Sequence, residues 1–225
     1  MDYSIQDITA LMVVYKTKDL VVRSYESIRK FYPTLKLMII DNSGGDECTK
    51  YLEELFDKDP FLQLIKNEKN EGHGSSVHQG IGLIETDLVL MMDSDTEVVS
   101  LGGIEGMLDL MTPEVYGVGK IIKTDLGGRN VPDDFNKWET IDFLLLSVGL
   151  INKNQYYNFS QFTRFGLINF KANREINQKG LSNQLFKEFP ILGYIHHYPG
   201  GTRAKYGDCE DIVEGFNGDP YGELD

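Results

Sequence analysis

A chain of 225 residues with 35 acidic and 22 basic side chains carries a net charge of −13, which repels phosphate backbones and anionic lipid and argues against nucleic-acid binding. Its hydrophobic content of 41% is ordinary for a globular protein and can fill one substantial core, in one large α/β domain or two small ones. Cys48 and Cys209 are too few for a disulfide framework and lack zinc-site spacing, so both are expected to be reduced. The first residues lack a signal peptide's basic start and apolar core, and the longest apolar stretch, 143–151, is interrupted by Ser147 and Gly149. That is far below the ~20 residues of a membrane span. The expectation is a cytoplasmic protein without a transmembrane segment.

In chain order, strands and helices alternate. Residues 8–14 form an apolar run that reads as a buried strand, and 19–31 place Leu20, Tyr25, Ile28 and Phe31 at roughly helical spacing before Pro33 stops the helix. Residues 35–40 read as a second strand, ended by Asp41-Asn42-Ser43-Gly44-Gly45, and 48–56 as a second helix. A third strand over 61–66, a glycine-containing loop over 70–74, a helix over 75–84 and a fourth strand over 88–92 complete the series. This order predicts a mostly parallel sheet with right-handed crossovers, flanked by helices.

Beyond it the pattern loosens. Residues 104–111 read as helix, 116–123 as strand and 126–138 as a loop rich in Gly, Asn, Pro and Asp, a length that is more often functional than idle. Further strands are expected around 143–150 and 192–197, and the acidic, glycine-rich tail 207–225 is expected to be poorly ordered.

The fourth strand ends abruptly in Asp93-Ser94-Asp95. Strand alternation sends both carboxylates to one face, and the carboxyl end of a parallel strand opens onto the crevice where ligands bind. Two hard oxygen ligands there suit a divalent cation with a phosphate on its far side. For an acidic chain that handles an anionic ligand, such a cation supplies the local neutralisation. The plainer alternative is a pair of turn residues capping a strand.

Four motifs together carry a family resemblance: Val13-Val14-Tyr15-Lys16-Thr17, Met38-Ile39-Ile40-Asp41-Asn42-Ser43, Asn70-Glu71-Gly72-His73-Gly74 followed by Gly80-Ile81, and Met92-Asp93-Ser94-Asp95. Their order and spacing resemble family-2 glycosyltransferases of the GT-A fold, rhamnosyltransferase-like members most closely, over residues 6–98. Downstream, Ile195-His196-His197-Tyr198-Pro199-Gly200-Gly201-Thr202-Arg203 is similar to the His-containing segment near the end of that catalytic domain.

The resemblance implies a single Rossmann-like GT-A domain, with a nucleotide-sugar-binding half in residues 1–98 and an acceptor-side half in 99–206. It implies inverting transfer of a hexosyl or rhamnosyl group from a UDP- or dTDP-sugar to a hydroxyl of a glycan or other acceptor. Asp41 would hydrogen-bond the base and Tyr15 pack against it, with Asn70, Gly72 and Ser94 completing the donor site. Asp95 most directly, and Asp93 partly through the ribose, would hold Mn2+ or Mg2+ against the diphosphate. One of His196 and His197 would add a metal or phosphate contact, since neighbours on a strand face opposite ways, and His197 is the choice.

Inverting transfer also needs a carboxylate base. The family usually carries it in an acidic pair before the late histidine; here that region reads Lys171-Ala172-Asn173-Arg174-Glu175-Ile176, without the customary neighbouring Asp. Glu175 is the nearest match and Asp142 the second candidate, although the first also fits a helix surface and the second a strand cap. Arg203, in a glycine-containing stretch, suits a diphosphate. His73 and His78 read as structural, and Trp138, Tyr156 and Tyr157 as core or as a stacking surface for a sugar.

Two other readings stay open. Asp93-Ser94-Asp95-Thr96 also resembles the nucleophile motif of haloacid-dehalogenase-type phosphatases, with Asp93 phosphorylated and Gly207-Asp208-Cys209-Glu210-Asp211 as a later acidic motif. That family usually places its nucleophile on an early strand. A non-catalytic nucleotide-sugar- or glycan-binding protein of the same fold is the third reading.

Overall fold

Seven consecutive buried residues make β1 (Ile8–Val14) a central strand. Ile8, Ala10, Met12 and Val14 enter one core, whereas Leu11 and Val13 enter the other, so the strand is covered on both faces and reads as an unbroken apolar run. The computed structural model describes residues 3–128, 130–131, 140–162 and 168–198.

The chain then runs through α1 (Lys18–Phe31), β2 (Lys36–Asp41), α2 (Glu47–Phe56), β3 (Leu62–Lys66), α3 (His73–Leu83) and β4 (Leu88–Met92). Asp46 caps α2 by accepting hydrogen bonds from the Cys48 and Thr49 N–H groups. Helix α3 starts at His73, ahead of the expected 75, because Gly72 takes a φ of +88° that turns the chain directly into the helix. It lies close on the sheet: a Cβ at Gly80 would stand 2.5 Å from Leu11 Cδ1.

The second half contributes β5 (Thr96–Val98), α4 (Gly103–Leu108), β6 (Gly117–Asp125), β7 (Thr140–Asn152), α5 (Lys153–Tyr156), α6 (Phe170–Gln178), α7 (Ser182–Leu185), β8 (Phe186–Glu188) and β9 (Ile195–His197). The main sheet has the order β3-β2-β1-β4-β7-β6-β8, and β5 pairs with β9 in a separate ribbon. Strands β3, β2, β1 and β4 are parallel, while β7 is antiparallel to both β4 and β6. Because β7 pairs with β4, the two halves of the chain share one sheet. The fold is the expected mixed α/β architecture, a central, mostly parallel sheet flanked by helices.

Several boundaries differ from the sequence expectation. Strand β7 is longer at both ends than 143–150, and residues 192–197 divide into a 3-10 turn at Ile191–Gly193 and the short β9. β5, α6 and β8 have too few periodic apolar residues to stand out in the sequence. No helix among the described residues is long and apolar enough to cross a membrane. Most of the 126–138 loop and the whole 207–225 tail lie outside the described residues.

Candidate active site

Strand order reverses between β1 and β4, since β1 leads to β2 on one side and β4 closes the other. In open α/β sheets, ligands bind outside the carboxyl ends of the strands at such a point. Leaving β4, Asp93 donates its N–H to the Ser147 carbonyl of β7 at 2.9 Å, and its own carbonyl accepts from the Thr96 N–H at 3.2 Å and Thr96 Oγ1 at 2.7 Å. The two aspartates therefore stand on a turn; it is this turn, rather than strand alternation, that gathers their carboxylates.

The turn delivers the chain into β5, whose register with β9 sets Thr96 opposite His197 and Glu97 opposite His196. The Tyr198 N–H donates to the Asp95 carbonyl at 2.9 Å and fixes the end of β9. His197 Nε2 then lies 3.4 Å from Asp95 Oδ1 and 3.7 Å from Asp93 Oδ2. Ligand atoms of Asp93, Asp95 and His197 all fall within 4.8 Å of one another, whereas exposed His196 points away.

Burial pushes the Asp93 carboxyl above its ordinary range; His73 opposes that rise, Asp95 adds to it, and His197 opposes it. The imidazole of His197 is raised, first by its bond to Asp95, against the cost of burial. Two carboxylates and an imidazole gathered within 4.8 Å could hold a divalent cation. Hard ions that hold ligands at about 2.1 Å in octahedral geometry bring adjacent ligands to about 3 Å, so the group would close slightly around one. The carboxylates suit Mg2+ or Mn2+, and the imidazole is a ligand that transition ions accept.

Ser94 belongs to this turn, and the other described donor residues predicted stand at the same carboxyl end of the parallel strands, on or just after β1, β2 and β3. Ser94 Oγ lies 3.3 Å from Thr17 Oγ1, linking the Asp93–Asp95 turn to the start of α1. Tyr15 ends β1 with the Lys16 ammonium 5.0 Å from its ring centroid; Lys16 takes a φ of +55°, and its N–H donates to Ser43 Oγ. Asp41 is 1% exposed. One of its oxygens accepts from the Ser43 N–H and the other from Thr49 Oγ1, so it anchors the loop after β2 from within. Asn42 accepts from Asn67 at 2.8 Å and from Ser76 at 3.0 Å, and donates to Asn70 Oδ1, which also accepts from the Gly72 N–H.

Neither proposed base joins the cluster. Glu175, on α6, accepts from the Ser160 N–H at 2.9 Å and from Lys179 at 2.7 Å; the bond to Lys179 is the main cause of its lowered pKa. Asp142, near the start of β7, pairs with Lys123 and accepts from Ser182 Oγ. Ser147, beside Asp93, is five residues further along β7, about 17 Å at strand rise. Arg203, Cys209 and Trp138 lie outside the described residues. Tyr156 is fully buried with His78 Nδ1 2.7 Å from its hydroxyl, a packing role for both, and Tyr157 is half-exposed.

One residue near the cluster was read from sequence as merely structural. His73 Nε2 lies 3.7 Å from Asp93 Oδ1. Its one signal in the sequence is the flanking pair Gly72 and Gly74, which marks a tight entry into a helix.

Comparison with known proteins bears on the family and the fold. The family model described as "Glycosyl transferase family 2" matches residues 9–176, well over half of the chain. A protein of Mycobacterium tuberculosis named "Putative glycosyltransferases" is 26% identical over 94 residues, covering 40% of this chain and 28% of its own. The "Succinoglycan biosynthesis protein ExoO" of Rhizobium meliloti is 26% identical over 95 residues, covering 42% and 27%. The matched stretch therefore spans little more than a quarter of either relative.

Among solved structures, a mannosyltransferase of Pyrobaculum calidifontis in complex with GDP-Man and Mn2+ superposes with a TM-score of 0.62 at 13% identity, over 83% of this chain and 55% of that one. GalNAc-T7 with UDP, GalNAc and Mn2+ gives 0.61 at 12% identity, over 83% and 44%. S. aureus TarS gives 0.58 at 15% identity, over 93% and 40%. These likenesses establish the fold. With the family match over residues 9–176, the chain belongs to glycosyl transferase family 2.

Proposed function

We propose that this protein is a metal-dependent, inverting glycosyltransferase that moves a hexosyl or rhamnosyl group from a UDP- or dTDP-sugar to a hydroxyl of a glycan or other acceptor. The observation that carries the reading is the grouping of Asp93, Asp95 and His197 within 4.8 Å at the carboxyl end of β4. The GDP-Man and UDP complexes among its structural neighbours, both with Mn2+, support a nucleotide-sugar donor there. A cytoplasmic setting belongs to the same reading, supported by the free, buried Cys48.

Asp95, Asp93 and His197 would hold the ion, which when bound supplies positive charge against the leaving nucleoside diphosphate. Bonds to Ser147 and Thr96 hold the aspartate turn, and those to Ser43 and Thr49 hold the loop after β2, so the crevice is shaped before the donor arrives. Tyr15, Asn70, Gly72 and Ser94 line the donor's approach, with Asp41 supporting them from beneath. A base must take the acceptor's proton. Glu175 and Asp142 are each paired with a lysine, and neither is assigned that step.

The test is a thermal-shift screen of UDP, dTDP, GDP and their sugars, with and without Mn2+. A nucleotide at ~100 times its dissociation constant should add roughly 2.7 kcal/mol of stability, and only with the ion present. Asp95→Ala should abolish that increment together with donor hydrolysis or transfer. Unimpaired activity in Asp95→Ala would sink the metal role, a phospho-aspartyl Asp93 would restore the phosphatase reading, and binding without turnover would point to a non-catalytic member of the family.

A further inference from the structure

Two imidazoles flank one carboxylate. His197, at the end of β9, stands 3.7 Å from Asp93 Oδ2, and His73, at the start of α3, stands 3.7 Å from Asp93 Oδ1. The Oδ2 side belongs to the cation group, because Asp95 meets His197 there. Of the side chains described, His73 is the one paired with Oδ1.

At 3.7 Å the His73 contact is too long for a hydrogen bond, and such a separation suits two polar groups bridged by a third. With the pair opened to about 4.4 Å, an oxygen atom sits at about 2.8 Å from both. The His73 side chain is 42% exposed, so the position between them opens to the crevice. A phosphate oxygen would accept from the imidazole N–H but be repelled by the carboxylate. A hydroxyl satisfies both: it accepts from Nε2–H and donates to Asp93 Oδ1. With a diphosphate at the neighbouring cation group, the ribose is a hydroxyl-bearing unit joined directly to it.

Resting on the donor site described under Proposed function, we propose that His73 is a donor-binding residue that shares one ribose hydroxyl with Asp93 Oδ1. Gly72 makes this possible, since its φ of +88° turns the chain so that α3 begins with His73 at the crevice.

The experiment is calorimetric titration of the full chain with UDP, dTDP and GDP in saturating Mn2+, beside a spectroscopic titration with Mn2+ alone. His73→Ala should weaken the tightest nucleotide by up to about tenfold, the upper value of one hydrogen bond between neutral groups, and His73→Gln, which keeps an N–H donor, should recover most of the loss. Removing the 2′- or 3′-hydroxyl should weaken binding to the unsubstituted protein by a similar factor and add nothing in His73→Ala. Mn2+ affinity should fall less than nucleotide affinity, because His73 meets Asp93 at Oδ1 whereas His197 meets it at Oδ2.

Equal nucleotide affinity in His73→Ala and the unsubstituted protein would overturn the inference while leaving the donor site standing. So would a deoxy penalty that persists in His73→Ala, or a loss of Mn2+ affinity as large as the loss of nucleotide affinity, which would make His73 an ion ligand or a purely structural residue. Failure of the unsubstituted protein to bind any of the three nucleotides would overturn the proposed function and this inference with it.

Discussion

His197 Nε2 lies 3.4 Å from Asp95 Oδ1, although one residue closes β9 and the other follows β4. The pairing of β5 with β9 makes the contact, because Thr96 opposite His197 leaves the histidine beside the aspartate turn and directs its neighbour away.

The two adjacent histidines should therefore behave differently. His197→Ala should weaken Mn2+ binding by at least about tenfold, the loss that even outer partners of a metal site cause, whereas His196→Ala should leave it within twofold or so. Mn2+ titration of both variants checks this, and equal losses would show that the ribbon's register is not what selects the ligand.

Glu175 and Asp142 are predicted to be structural. Each sits in a partly exposed ion pair with additional hydrogen bonds, so Glu175→Gln and Asp142→Asn should each cost about 1 kcal/mol of stability and keep metal-dependent transfer. Urea melts and transfer assays on the same preparations separate the outcomes. A hundredfold loss of transfer with unchanged donor binding in either variant would identify that residue as the base.

Two glycines in α3 should respond oppositely to alanine. A Cβ at Gly80 meets Leu11 Cδ1 at 2.5 Å and Cδ2 at 2.9 Å, whereas one at Gly82 meets only the Tyr157 hydroxyl, at 3.9 Å. Gly80→Ala should lower Tm, since overpacking of about 1–3 kcal/mol exceeds the gain in helix propensity. Gly82→Ala should raise Tm by about 2–4 °C, from up to ~1 kcal/mol of propensity without a clash. A rise for both would mean that α3 can lift from β1 at little cost.

Acid stability should depend on Asp59, which is 8% exposed and pairs with Arg29 Nε at 2.5 Å. Burial alone would raise its pKa, but the bonds from Arg29, the Phe61 N–H and Tyr25 outweigh burial and hold it below the ordinary value. A carboxylate with a depressed folded-state pKa contributes stability above its unfolded pKa of about 3.9 and loses it as pH falls through the folded value. Asp59→Asn should cost about 3 kcal/mol at pH 7, by leaving the largely buried Arg29 guanidinium without its counter-charge, and flatten the loss of stability below about pH 4. Urea melts at pH 7 and pH 3 measure both; an unchanged acid limb would rule Asp59 out as its source.

Local patterning was enough to read the βα series through β4, because each parallel strand is buried on both faces and stands out as an apolar run between turn-forming residues. It also singled out Asp93 and Asp95, since paired carboxylates ending an apolar strand are visible without a fold, and the four motifs pointed to the family. β5 and β8 escaped because strands of three residues offer no period to detect, and β9 is shorter than the strand expected there. Tertiary structure decided which histidine reaches the aspartates, that Asp41 turns inward to Ser43 and Thr49, and that Glu175 and Asp142 are held by lysines. It also set His73 beside Asp93. Sequence spacing specifies which face of its own element a side chain takes; strand pairing and crossover geometry specify what lies opposite, and the contacts of His73 and His197 with the aspartates join separate elements.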